Sequence, residues 1–115
     1  MSELETPVSA HLALIWNKHA ATVLERVACL VKVQALIREL SPDERGAAEQ
    51  AAHKLAGTLG TFGSPQGSQI ASQIDCVFSA ETVLDERAAA DVSELISALK
   101  ESVEQLAKSY ESRPA

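Results

Sequence analysis

The chain has 115 residues, 46% of them hydrophobic and only 3% aromatic, with a formal net charge of -6. That length suits one domain with a single buried core, and apolar content drawn mostly from Ala, Leu, Val and Ile favours helix packed on helix over a sheet. The acidic balance leaves no basic stripe to displace counterions from a phosphate backbone, which argues against nucleic acid as a partner.

The first helical pattern runs from about Pro7 to Leu40. Val8, Leu12, Ile15, Trp16, Val23, Val27, Leu30 and Ile37 fall largely at three- and four-residue steps. A stretch this long either bends or begins with a short separate turn. Ser41-Pro42-Asp43-Glu44 then resets the chain: Ser41 is an N-cap, Pro42 suits the first helical position and Glu44 completes a capping box. The second helix extends to about Phe62, with Ala48, Ala52, Leu55, Leu59 and Phe62 as its apolar stripe. Gly63 suits a left-handed C-terminal position, Ser64 caps a third helix and Pro65 opens it. Ile70, Ile74, Val77 and Phe78 mark that helix's core face. Ser79 to Asp85 reads as a loop. A fourth helix spans about Glu86 to Lys108, with Val92, Leu95, Ile96, Leu99, Val103 and Leu106 inward, and Glu111 to Ala115 reads as a frayed tail.

The expected fold is all-α, an antiparallel up-and-down four-helix bundle. One domain covers 1–115, with its core over about 8–108. Cys29 and Cys76 share no metal spacing and read as reduced small hydrophobes, consistent with a cytoplasmic location. The N-terminal MSELETPVSA lacks a basic region and an apolar run, so no signal peptide is expected. No segment approaches the roughly 18 apolar residues of a membrane span. His11 and His19 lack partners at ligand spacing and read as surface or boundary residues, so no metal is expected. Trp16 reads as core packing.

The second helix carries the informative residues. At about 100° per residue, His53 points about 140° away from the centre of the apolar stripe. Gly46, Gln50, Gly57 and Gly60 share its outer sector, within about 60° of it. Each glycine inside a helix costs about 1 kcal/mol relative to alanine. Close approach is a physical reason to tolerate that cost: without side chains beside the imidazole, another protein can reach it. A neutral imidazole is a nucleophile at physiological pH. Lys54 is next in sequence, and its long stem can bring positive charge to an incoming phosphoryl group.

The segment His53-Lys54-Leu55-Ala56-Gly57-Thr58-Leu59-Gly60-Thr61-Phe62-Gly63 resembles the phosphorylation motif of histidine phosphotransfer (HPt) domains. With the Gly-Ser-x-x-Ala stretch at Gly67 to Ala71, it looks most like HPt domains of cyanobacterial signalling proteins. The resemblance implies that His53 accepts the phosphoryl group on the ring nitrogen remote from the backbone. It implies that Lys54 stabilises the phosphoryl charge, because the family's usual lysine position is Ala56 here. Partner contact is implied for Gln50, Gly57, Gly60, Gln69 and Gln73. The family often holds the imidazole with a glutamine on the following helix. The aligned position is Asp75, with Gln69 and Gln73 nearby and Gln50 one turn before His53, and the resemblance does not select among them.

The implied function is passage of a phosphoryl group between receiver-domain aspartates in a two-component phosphorelay. The partners would be a response-regulator receiver and a hybrid histidine kinase, with no nucleic acid or membrane, and the chain would be a monomer. No cofactor is expected on this chain; Mg²⁺ would sit on the receiver. There is no Walker A loop, so no kinase activity is expected. Two rivals stand beside this reading. One is a helical interaction module that no longer transfers, suggested by Ala56 and Asp75. The other is the dimerisation hairpin of a histidine kinase, which needs two helices and a separate ATP-binding domain.

Overall fold

A capped, punctuated chain of this kind should form separate helices, and it does. The computed structural model describes residues 2–80 and 83–111, with side chains described from residue 11 onward. It contains α1 (Ser2–Gln34), a short 3-10 turn (Ile37–Glu39), α2 (Pro42–Thr61), α3 (Pro65–Ser79) and α4 (Glu86–Glu111).

The caps act as their residue types dictate. Ser41 Oγ accepts from the Glu44 N–H at 3.1 Å, and the Glu44 carboxylate accepts from the Ser41 N–H at 3.0 Å. Hydrogen bonds from Ser41, its backbone first and its side chain second, hold the Glu44 carboxyl below its ordinary value of 4.5. Gly63 takes the left-handed conformation, φ 90°, that ends α2. Ser64 N–H then donates back to the Leu59 carbonyl, and Ser64 Oγ accepts from the Gly67 N–H to start α3.

Polar and aromatic contacts fix the helix directions. Gln34, at the end of α1, donates to the Ser93 carbonyl and to the Ser93 and Ser97 hydroxyls near the start of α4. Arg45, near the start of α2, donates to the carbonyls of Val77, Phe78 and Ala80 at the end of α3. At the opposite end, Trp16 stacks on Tyr110 and meets Phe62 edge-on, while Tyr110 donates its hydroxyl to the Phe62 carbonyl. The helices therefore run antiparallel to their neighbours in a ring, with α2 against α1 and α3, and α4 closing the other side. Leu30, Leu55, Leu59, Ile74, Phe78, Ile96 and Leu99 fill the centre.

Three boundaries differ from the sequence pattern. α1 begins at Ser2 rather than Pro7 and ends at Gln34 rather than Leu40. Leu36 N–H bonds to Val33 and Glu39 N–H to Leu36, so the chain tightens into three-residue turns that still bury Ile37. A three-residue step suits either helix type, so periodicity could not see the change. α4 continues to Glu111 because Tyr110 is buried. Of the expected loop, Ser79 closes α3 and Asp85 caps α4, its carboxylate accepting from the Ala88 N–H; residues 81–82 lie outside the described residues. So do the expected tail beyond Glu111 and the Val8 side chain. Leu12, Ile15, Ile70, Val77, Leu95 and Leu106 are half-buried at the core's edge.

Candidate functional site

The apolar stripe of α2 turns inward, so His53 must turn outward, and its side chain is 76% exposed. A three-residue link joins α2 to α3, which sets the register between them. His53 and Asp75 each lie eleven residues from Ser64. Gly60 and Ser68 are equidistant from Ser64 in the same way, two helical turns nearer the link. Both pairs meet. Ser68 Oγ lies 3.5 Å from where a Cβ on Gly60 would stand, and it donates to the Ala56 carbonyl at 2.6 Å. Two turns along, His53 Nδ1 and Asp75 Oδ2 are 3.1 Å apart.

That contact decides how the ring is presented. With the Asp75 carboxylate as acceptor, Nδ1 is the donor, and in the neutral ring the lone pair then stands on Nε2. Nε2 is the nitrogen remote from the backbone. Asp75 is half-buried between α2 and α3, its side chain 24% exposed, while the far edge of the ring faces solvent. The site therefore combines a positioned imidazole with open access.

The other expected site residues divide. Gln50 and Lys54 join Glu49 in lining a shallow depression beside His53. Gly57 has nothing within 4 Å of an added Cβ, so the surface one turn beyond the histidine is clear. The space at Gly60 is bounded by Ser68, so this glycine borders the α2–α3 seam. Gln69 and Gln73 are exposed on α3. Of the side chains considered as holding the ring, Asp75 is the one in hydrogen-bond contact with it. Ala56 is half-buried against the core. His11 and His19 are exposed on α1, and among the described residues no three His, Cys, Asp or Glu side chains are grouped to hold a metal.

An antiparallel bundle that offers an exposed, carboxylate-held histidine from its second helix has the form of a phosphotransfer module, and the chain belongs to the Hpt domain family, whose model it matches over residues 23–109. Hpt domains carry histidine phosphotransfer in phosphorelays with receiver domains and kinases, and have no kinase or ATP-binding activity themselves. The chain is also similar to a cyanobacterial protein, Protein RcaC of Microchaete diplosiphon, at 27% identity over 105 residues. That match covers 90% of this chain and 16% of the relative, so the chain spans about a sixth of that protein's length. No solved structure matches the chain.

Proposed function

We propose that this chain relays a phosphoryl group between receiver-domain aspartates, with His53 as the acceptor. The observation that carries the reading is the 3.1 Å contact between His53 Nδ1 and Asp75, which leaves Nε2 free on an exposed ring. In the forward step Nε2 attacks the phosphorus of a receiver's aspartyl phosphate. The N–P bond forms as the P–O bond to the aspartate breaks, and the aspartate leaves as a carboxylate. The proton on Nδ1 stays in the bond to Asp75, whose negative charge offsets the positive charge on the phosphorylated ring. Lys54 reaches the phosphoryl oxygens from the adjacent position. Transfer to a second aspartate reverses the same bonds. The module's contribution is the position of the nucleophile, and phosphoryl transfer depends chiefly on positioning and electrostatics. Mg²⁺ on the receiver supplies the remaining charge neutralisation.

A hybrid histidine kinase would stand upstream, and a cytoplasmic monomer suffices for this role. Among the described residues no helix is long and apolar enough to cross a membrane. The test is transfer from receiver domains preloaded with acetyl phosphate to the wild type and to His53→Gln. An acid-labile phosphoryl group gained by the wild type alone is the expected result. Equal gain, or none by either chain, overturns the reading.

A further inference from the structure

α3 carries one charged side chain, and it is Asp75. That residue type is poorly suited to its place. Aspartate is a weak helix former, and a negative charge close to a helix C-terminus meets the negative end of the helix dipole. Asp75 stands about one turn before the end of α3, whose last turn holds no basic residue. The cation comes from α2. Arg45 Nε donates to the Phe78 carbonyl at 2.9 Å, and its guanidinium also donates to the Val77 carbonyl at 3.4 Å and to the Ala80 carbonyl. The Cys76 carbonyl is filled locally, by the Ala80 N–H and the Ser79 hydroxyl. The end of α3 is therefore closed by its own atoms at Cys76 and by the neighbouring helix beyond it.

Along the α2–α3 seam, Ser68 ties to Ala56 near the link, His53 meets Asp75 in the middle and Arg45 holds the far end. Ile74 and Phe78 are buried and keep α3 against the core. Apolar contact is non-directional, whereas a hydrogen bond weakens steeply with misalignment. The 3.1 Å contact of His53 with Asp75 requires α3 to keep one rotation and one height against α2. The forked bonds of Arg45 fix both. We propose that Arg45 is a positioning residue for His53, acting on the ring through α3 and Asp75. The proposal rests on the phosphotransfer reading above. Without the guanidinium the end of α3 opens locally, Asp75 leaves the ring, and the proton on Nδ1 loses the acceptor that keeps it there.

Two variants test this. Arg45→Met keeps an apolar stem and removes the donors. Arg45→Lys keeps the charge but offers a point donor in place of a fork. They are compared with Asp75→Ala and with the double variant Arg45→Met/Asp75→Ala, with circular dichroism as the folding control. The readouts are the ring tautomer, from a multiple-bond ¹H–¹⁵N spectrum, and the initial rate of His53 labelling by phosphoramidate. In Arg45→Met the ring proton should shift from Nδ1 toward Nε2, and labelling should slow by about fivefold at most, the bound for losing the exposed Asp75 contact. Arg45→Lys should fall between that variant and wild type. The double variant should label no more slowly than Asp75→Ala, because both substitutions act through one contact. A wild-type tautomer in Arg45→Met, or in Arg45→Lys if the methionine variant does not fold, would overturn the proposal and leave the relay reading intact. So would a double variant slowed by the product of the two single effects. A wild type that takes up no phosphoryl group would overturn the relay reading, and the tautomer would still decide the role of Arg45.

Discussion

Removing the Asp75 carboxylate should slow phosphorylation of His53 by a small factor and move the proton on its ring. The size follows from exposure. The His53–Asp75 contact is 3.1 Å, but the imidazole is three-quarters exposed. A pair in that setting contributes about 1 kcal/mol at most, which corresponds to about fivefold in an equilibrium or a rate. A similar carboxylate in a dry, buried triad is worth about 10⁴ in rate. Asp75→Ala is therefore expected to label with phosphoramidate about fivefold more slowly than wild type, with helix content preserved. Asp75→Asn should do no better than alanine. Its amide can donate to Nδ1, which places the ring proton on Nε2 and occupies the nucleophile. The assay pairs the initial rate of mass gain with a multiple-bond ¹H–¹⁵N spectrum of the imidazole. The wild type should show the proton on Nδ1, and Asp75→Ala should show it shifting to Nε2. Wild-type rate and unchanged tautomer in Asp75→Ala would refute the positioning role.

Further expectations follow from neighbouring residues. Lys54→Ala should slow transfer from a receiver while leaving the fold unchanged, and a wild-type rate would remove Lys54 from the mechanism. Gly57 and Gly67 should respond oppositely to alanine. A Cβ on Gly57 meets nothing, so Gly57→Ala should raise Tm by about 4 °C through helix propensity. A Cβ on Gly67 would stand 2.7 Å from Ser64 Oγ and 3.2 Å from Leu59 Cδ1, so Gly67→Ala should destabilise by about 1–3 kcal/mol in urea unfolding. The capping box carries a pH signature. Because the folded chain holds the Glu44 carboxyl below 4.5, its contribution is fully present above that value and is lost as pH falls through the folded value. The gap in urea midpoint between wild type and Glu44→Ala should be constant near neutrality and shrink in acid; a gap that grew in acid would contradict the cap.

Much of this fold was legible because its boundaries are chemical. Ser41-Pro42-Asp43-Glu44 and Gly63-Ser64-Pro65 specify caps that depend on a few neighbouring residues, and both formed as their residue types require. The outward direction of His53 followed from five apolar positions on the same helix. What escaped depends on contacts across the bundle. Nothing local distinguishes a helix from a 3-10 turn at Ile37, and the extension of α4 to Tyr110 goes with its burial against Trp16 and Phe62 and its hydroxyl bond to the Phe62 carbonyl at the end of α2. Asp75 lay between these cases. Alignment pointed to its position, but three glutamines competed with it. The structure separates them: the Gly60–Ser68 and His53–Asp75 contacts both pair residues at equal distance from Ser64, one residue past the centre of the link, a register set by how α3 packs on α2. Gly60 likewise sits on the outer sector of the wheel, yet α3 crosses close enough to bring Ser68 alongside it.

The relay mechanism stands or falls with His53 as the phosphorylated residue. The most direct test is treatment of wild type and His53→Gln with phosphoramidate, read as intact mass, with His11 and His19 as internal controls. One acid-labile phosphoryl addition on the wild type and none on the variant is the predicted result. Equal labelling of the two chains, or a wild type that takes up none, would contradict it.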